Sequence, residues 1–440
     1  MRLHTITVLA RRRRGFVRLL SGRGAVSWIL KTPARWTAPS ASRALPLGRS
    51  TVATLAIGLL AQAPASSSHA SALLAMSNGA ADMSLNGTTI AEPLTPSGAL
   101  FANPAGLCAF ETTTVTGSLG YGFGTTKIDN DDGYSQDENL FAIFPDAAVS
   151  VPGRGRLYYG VGIYGSVGTN YDFEADPAAG VEDDFHAETS IGEMPFAIAY
   201  RVNDQLYVGA ELIALFGHLR NRYTVGGTLF RYTLRGPGLQ GMFGLTWKPD
   251  ERWALGLGVR TPGRIWMDGS TAVPAGVRRD VDLALQMPTQ VSLGITHHAT
   301  RRVTLSASGR WTDASRFGDS DIEFDGLSQA NVPFLPAAND EWRFALGVEF
   351  ELRPNWALRL GASHSNRIVG TSGVSPLVYD NTDTRLSGGF GVDLGRWTLD
   401  ATAAYSFDRD RNVDADQALV IPGSYESGGG IVMLGVTRRL

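Results

Sequence analysis

From about residue 111 the chain alternates apolar residues with small or polar ones at a period of two. Trp253, Leu255, Leu257 and Val259 share one face, and Ala254, Gly256, Gly258 and Arg260 share the other. The same reading gives Phe344, Leu346, Val348 and Phe350 against Ala345, Gly347, Glu349 and Glu351, and Leu386, Gly388, Phe390 and Val392 against Ser387, Gly389, Gly391 and Asp393. Period two marks a strand with two unlike faces, which a half-buried soluble sheet also shows. The connections separate the two cases. Tight ones fall at 152–155, 202–204, 249–252, 299–302, 353–355 and 395–396, and long ones near 125–140, 169–187, 222–236, 269–286, 316–339, 367–383 and 409–427. Aromatics stand beside the tight turns: Tyr158, Tyr207, Trp247, Trp253, Trp356 and Trp397. Tight turns at one rim, long loops at the other and an aromatic girdle predict an all-β, transmembrane antiparallel β-barrel of about fourteen strands.

The face opposite the large apolar residues is rich in Gly, Ala, Ser and Thr, with single charges at Glu211, Arg260, Arg310, Glu349, Arg359, Asp393 and Asp400. A charge on the lipid face costs about 2–4 kcal/mol near the bilayer midplane, so these charges are expected to face the lumen. No apolar run reaches the roughly 18 to 20 residues of a membrane-spanning helix.

Charge is distributed unevenly. Residues 1–70 hold eleven of the 39 Lys and Arg and none of the 42 Asp and Glu, which leaves a strongly acidic body. That balance disfavours nucleic acid as a partner. Residues 51–61 are an apolar run behind Arg49, and small residues lead to Ser68-His69-Ala70. This describes a secretory signal peptide cleaved after Ala70, or after Ala65. The Arg-rich, acid-free stretch before it also suits an organellar transit peptide or a start codon set too early. The expected organisation is a leader over 1–70, an N-terminal hatch over 71–110 and a barrel over 111–440.

Residues 71–110 do not alternate, and they are small, apolar and turn-forming. Ahead of a barrel wide enough to leave an open lumen they read as a plug, the alternative being a periplasmic tail, which would carry more charge. Cys108 is the only cysteine, so an internal disulfide is impossible, and it reads as a small buried hydrophobe.

Here the chain resembles the FadL/TodX-type outer-membrane transporters of long-chain fatty acids and aromatic hydrocarbons. The segment Ser97 to Leu107, with Asn103, Pro104 and Ala105, is similar to the motif that ends the family's hatch. Further likenesses lie at Phe144-Pro145, at Gly236 to Gly241, at Trp253 to Pro262, at Leu285 to Pro288 and at Arg310 to Phe317. The resemblance implies a bacterial outer-membrane channel for passive uptake of hydrophobic molecules. Its pocket would be lined partly by the hatch, and its exit would open sideways where the third strand bends inward. In the expected third strand, about Leu157–Gly168, glycines 160, 162 and 165 (Gly160, Gly162 and Gly165) are the kink candidates. The implied partners are a hydrophobic substrate, outer-membrane lipid or lipopolysaccharide, and the barrel-assembly machinery. No cofactor is implied. Barrels of this kind usually end on an aromatic residue, whereas this chain ends Arg438-Arg439-Leu440.

Two other readings stay open: a general porin for polar solutes and an outer-membrane lipid-modifying enzyme. Ser363 and His364 are adjacent but point to opposite faces of a strand, which is no nucleophile–base pair. His297 and His298 read as solvated at a turn. The acidic patches at 129–132 and 182–184 lack the spacing of a calcium loop. No catalytic or metal-binding residue is assigned.

Overall fold

The computed structural model describes residues 77–440 apart from 131–132, 177–183, 226–227, 273–277, 327–331, 336, 375–382, 408–410 and 415–421. The leader, its cleavage site and residues 71–76 of the expected hatch lie outside the described residues. So do parts of the six expected loops between residues 169 and 427, and most of the two acidic patches.

The alternating segments form one closed antiparallel barrel. Its strands are β1 (Thr114–Asp129), β2 (Ser135–Pro152), β3 (Leu157–Phe173), β4 (Phe185–Arg201), β5 (Leu206–Val225) and β6 (Thr228–Trp247). Next come β7, in two pieces (Trp253–Arg260 and Gly263–Ala272), β8, also in two (Arg278–Met287 and Gln290–Thr300), and β9 (Val303–Thr312). The circuit ends with β10 (Glu341–Arg353), β11 (Trp356–Ser365), β12 (Asp383–Asp393), β13 (Trp397–Phe407) and β14 (Gly423–Arg439). Closure is by β1 on β14, from Thr114↔Arg439 to Asp129↔Ser424. The breaks in β7 and β8 fall at Pro262 and Pro288, residues that cannot donate to a ladder.

The large apolar residues face outward as the alternation requires. Phe141, Ile143, Phe196, Phe243, Trp266, Trp342, Phe344 and Leu434 are all exposed on the wall. At the tight-turn rim Trp247, Trp253, Trp356 and Trp397 are also outward. Tyr158 and Tyr207, expected beside them in the girdle, face inward instead. They hold the Arg201 guanidinium between their rings at 5.5 and 5.4 Å, and a rim cation is better screened there than by lipid. At two tight turns, Asn355 (φ 74°) and Gly395 (φ 84°) take the left-handed backbone.

Several strands are longer than the pattern suggested. The expected loops at 125–140 and 222–236 are largely strand, with β5 and β6 pairing out to Val225↔Thr228. Nor is the His297–His298 turn a turn. Both lie in β8, where His297 stacks on Trp253 at 3.9 Å between ring centres.

One seam is incomplete. β1 pairs with β2 along the whole of its own length, from Thr114↔Ser150 to Asp129↔Ser135. With β3, β2 pairs only from Pro152↔Tyr158 to Ala147↔Ile163. Beyond that point β2 carries outward Phe141 and Ile143, so the unpaired edge runs at the level of the apolar band.

Candidate functional site

Residues 77–110 are packed inside the tight-turn half of the barrel. They form α1 (Ala80–Met83), α2 (Pro96–Ala102) and a 3-10 turn (Pro104–Ala109), and almost all their side chains are buried. Asp82 is the internal hub. Its carboxylate accepts the Leu94 N–H at 2.9 Å and the Thr95 hydroxyl at 2.6 Å, and Thr95 caps α2 by accepting the Gly98 N–H. Burial pushes the Asp82 carboxyl up to about 6, against those hydrogen bonds and the nearby Arg359.

Asn103 fixes this assembly to the wall. Its amide donates to the Ile90 carbonyl at 2.9 Å, the Leu245 carbonyl at 3.1 Å and the Thr246 hydroxyl at 2.9 Å, while its oxygen accepts the Ala105 N–H. One side chain thus joins two parts of the hatch to β6. Pro104 and Ala105 lie against wall glycines: a Cβ on Gly244 would strike Asn103 Oδ1 and Pro104, and one on Gly209 would lie 2.6 Å from the Ala105 nitrogen. The inward glycines are therefore the seat of the hatch backbone. At the rim, Glu92 of the hatch is clamped by Lys248 at 2.5 Å and His298 at 3.0 Å, so His298 is a hatch contact rather than a free turn residue. The buried Cys108 lends its carbonyl to Arg201.

The charges singled out from the sequence fall into three groups. Arg260 bonds both oxygens of Glu193 at 2.9 Å and the Phe101 carbonyl at 3.3 Å. Buried Glu211 is nearby, and the Phe101 ring lies 5.2 Å from the Arg260 guanidinium and 5.5 Å from that of Arg310. Lower down, Arg359 bridges Glu349 at 2.6 Å and Asp400 at 2.7 Å, with Glu349 partly exposed. Asp393 requires a correction. It has the inward parity but is the last residue of β12, so it sits half-exposed at the rim, 2.5 Å from Arg439, and does not line the lumen.

The loop-side half of the lumen was hidden in the sequence. There the inward residues are apolar: Ile213, Leu215 and Leu219 on β5, Leu234 on β6, Ile265 and Met267 on β7, and Val281, Leu283, Leu285 and Met287 on β8. These strands are apolar on both faces, as at Leu212 to Phe216, and period two fades where that happens. The loop-side half of the lumen is thus filled by a packed apolar cluster above the hatch, with the Glu193–Arg260 layer between.

The glycines proposed for a bend divide between two roles. Gly160 and Gly162 face inward, Gly160 where β3 is paired on both sides and Gly162 at the first level where pairing with β4 lapses. Cβ atoms there would lie 2.7 Å from Leu107 and 2.9 Å from Leu100 of the hatch. Both seat the hatch. The irregularity begins at Gly162. Pairing of β3 with β4 skips the Gly162–Pro195 level, where proline has no N–H to give, and the register shifts between Gly165 and Val167. Behind this place Ser97 of α2 donates to Asp146 of β2 at 2.6 Å, and Tyr164 of β3 donates to the Leu100 carbonyl at 3.2 Å.

Residues 236–436 match the family described as outer membrane protein transport protein (OMPP1/FadL/TodX). Among solved structures, the fold is similar to a Pseudomonas aeruginosa FadL homologue, with TM-score 0.73, 18% identity, and 83% of this chain and 99% of the other covered. It is also similar to the Pseudomonas putida toluene transporter TodX (TM-score 0.68, 15% identity, 83% and 99% covered). The Ralstonia pickettii toluene transporter TbuX gives TM-score 0.65 and 19% identity over the same shares. No curated protein matches the sequence.

Proposed function

We propose that the chain, which matches the FadL/TodX-type outer-membrane transport family over residues 236–436, is a passive channel for small hydrophobic molecules, with lateral exit between β2 and β3. The substrate enters from the loop side and lodges among the apolar side chains packed above Phe101. It then passes into the bilayer through the unpaired stretch of wall and avoids the periplasm. Long-chain fatty acids or aromatic hydrocarbons have the right character. An aqueous exit would expose each CH₂ to water at a cost of about 0.8 kcal/mol, whereas a sideways exit keeps the chain in an apolar medium throughout. The observation that carries the reading is the end of β2–β3 pairing at Ala147↔Ile163, in front of a lumen lined by apolar side chains. Unpaired backbone facing lipid costs several kcal/mol per group, so such a seam in a barrel calls for a function.

The test is to mend the wall. Gly165 faces outward, and a Cβ there would meet no atom nearer than 3.9 Å, so Gly165→Val fits, and Pro195→Val returns a ladder donor. The double variant should assemble to equal surface levels and lose most uptake of a hydrophobic substrate while still binding it. Normal uptake would transfer the argument to a porin-like axial path.

A further inference from the structure

Between the hatch tip and the apolar cluster there is space for about one water-sized group, bounded by Phe101, Ser166, Gln240, Arg260 and Met287. Two polar atoms there lack a protein partner, the Ser166 hydroxyl and Gln240 Oε1, on side chains 7% and 4% exposed. The Gln240 amide cannot be turned round. Its nitrogen donates to the carbonyls of Thr261 at 2.8 Å and Pro288 at 3.1 Å, both acceptors only, so the oxygen is left as an acceptor. Arg260 is already spent on Glu193 and the Phe101 carbonyl, so it has little to offer an anion. Glu211, whose carboxylate oxygens have no protein partner either, adds negative charge beside this layer.

We propose that this spot takes the hydroxyl head of a hydrophobic alcohol or phenol, whose apolar body displaces side chains of the apolar cluster from Met287 outward. A hydroxyl accepts from Ser166 and donates to Gln240, one group satisfying two buried atoms. A carboxylate is too large for the space, lacks the proton Gln240 needs, and would meet Glu193 and Glu211. Ser166 stands at the register shift of β3, so the head group would be held beside the wall opening.

This rests on the channel reading above, and binding by the full-length protein in detergent micelles separates the two. Decanol, decyl methyl ether, decylamine and decanoate would be titrated by competition with a fluorescent apolar probe. Decanol should bind roughly ten-fold tighter than the ether or decanoate, as expected for one or two added buried hydrogen bonds. Ser166→Ala and Gln240→Met should bring decanol down to the ether's affinity and leave the ether unchanged. Equal binding of alcohol and ether would overturn the proposal, leaving a site for an ordered water. A preference for decylamine or decanoate would overturn it too, in favour of a charged head. If no compound displaces the probe, the channel reading falls with it.

Discussion

Asn103 shows how much one side chain decides. Its two amide hydrogens are shared among three acceptors and its oxygen accepts a further bond, all within the seat of the hatch. Each buried hydrogen bond contributes about 0.5–1.5 kcal/mol, and stranding its partners costs more. Asn103→Ala should therefore free the hatch while the barrel wall stays intact. The expected result is a several-fold rise in leakage of small polar solutes in liposome swelling, with unchanged heat-modifiable migration. Gly244→Val is the complementary change, because its side chain would occupy the place of Asn103 Oδ1. It should raise the leak in the same way without removing any polar group. The sequence singled out Asn103 only through resemblance. Nothing in its spacing reveals partners more than a hundred residues away on β6.

At the scale of elements, α1 and α2 are held together by the carboxylate of Asp82. In the docked hatch this group titrates near 6, against 3.8 when solvated. The docked state thus binds the proton more tightly. The stabilisation it gives is fully present below about pH 4 and is lost as pH rises through about 6. Polar leak measured across that range should be lowest at the acid end and rise toward neutrality. Asp82→Asn, which cannot titrate, should flatten the slope; a variant with the same slope would assign the effect to another group, Arg359 and Asp146 being the charged neighbours. For the strands themselves, the legible part was the part with two unlike faces. Trp253 to Arg260 and Trp356 to Ser363 read directly, because lipid and lumen demand opposite residues there. β5 and β6 beyond Asn221 did not, since polar residues on both faces of a strand above the membrane look like loop. The apolar cluster was illegible for the converse reason: inward Ile213 and Leu215 beside outward Leu212 and Phe216 leave no alternation to see.

For the whole molecule, barrel and hatch depend on each other. The wall carries glycines where the hatch backbone comes closest, as at Gly256, where a Cβ would lie 2.5 Å from the Ile90 carbonyl. Removing residues 77–110 would leave those glycines and the buried charges of Arg359 and Asp400 facing water, tolerable for a wide barrel. The deleted protein should still assemble, and its polar leak should exceed that of Asn103→Ala. The kink was harder to place from sequence. Glycines 160, 162 and 165 were all visible, but which of them face the hatch depends on parity and on Pro195, a residue of the neighbouring strand.

The uneven seam also sets an order of opening in time. The chain ends are sealed by the uninterrupted β1–β14 ladder, whose last amide, Leu440 N–H, is bonded to the Thr113 carbonyl. The interior seam of β2 and β3 has lost its ladder over half its length. Amide hydrogens report this directly, since exchange requires a bond to open. Deuterium should enter residues 136–146 of β2 and 164–173 of β3 well before it enters 114–129 or 424–439. The place where solvent hydrogen first gets into the wall would then mark the place where a greasy molecule gets out.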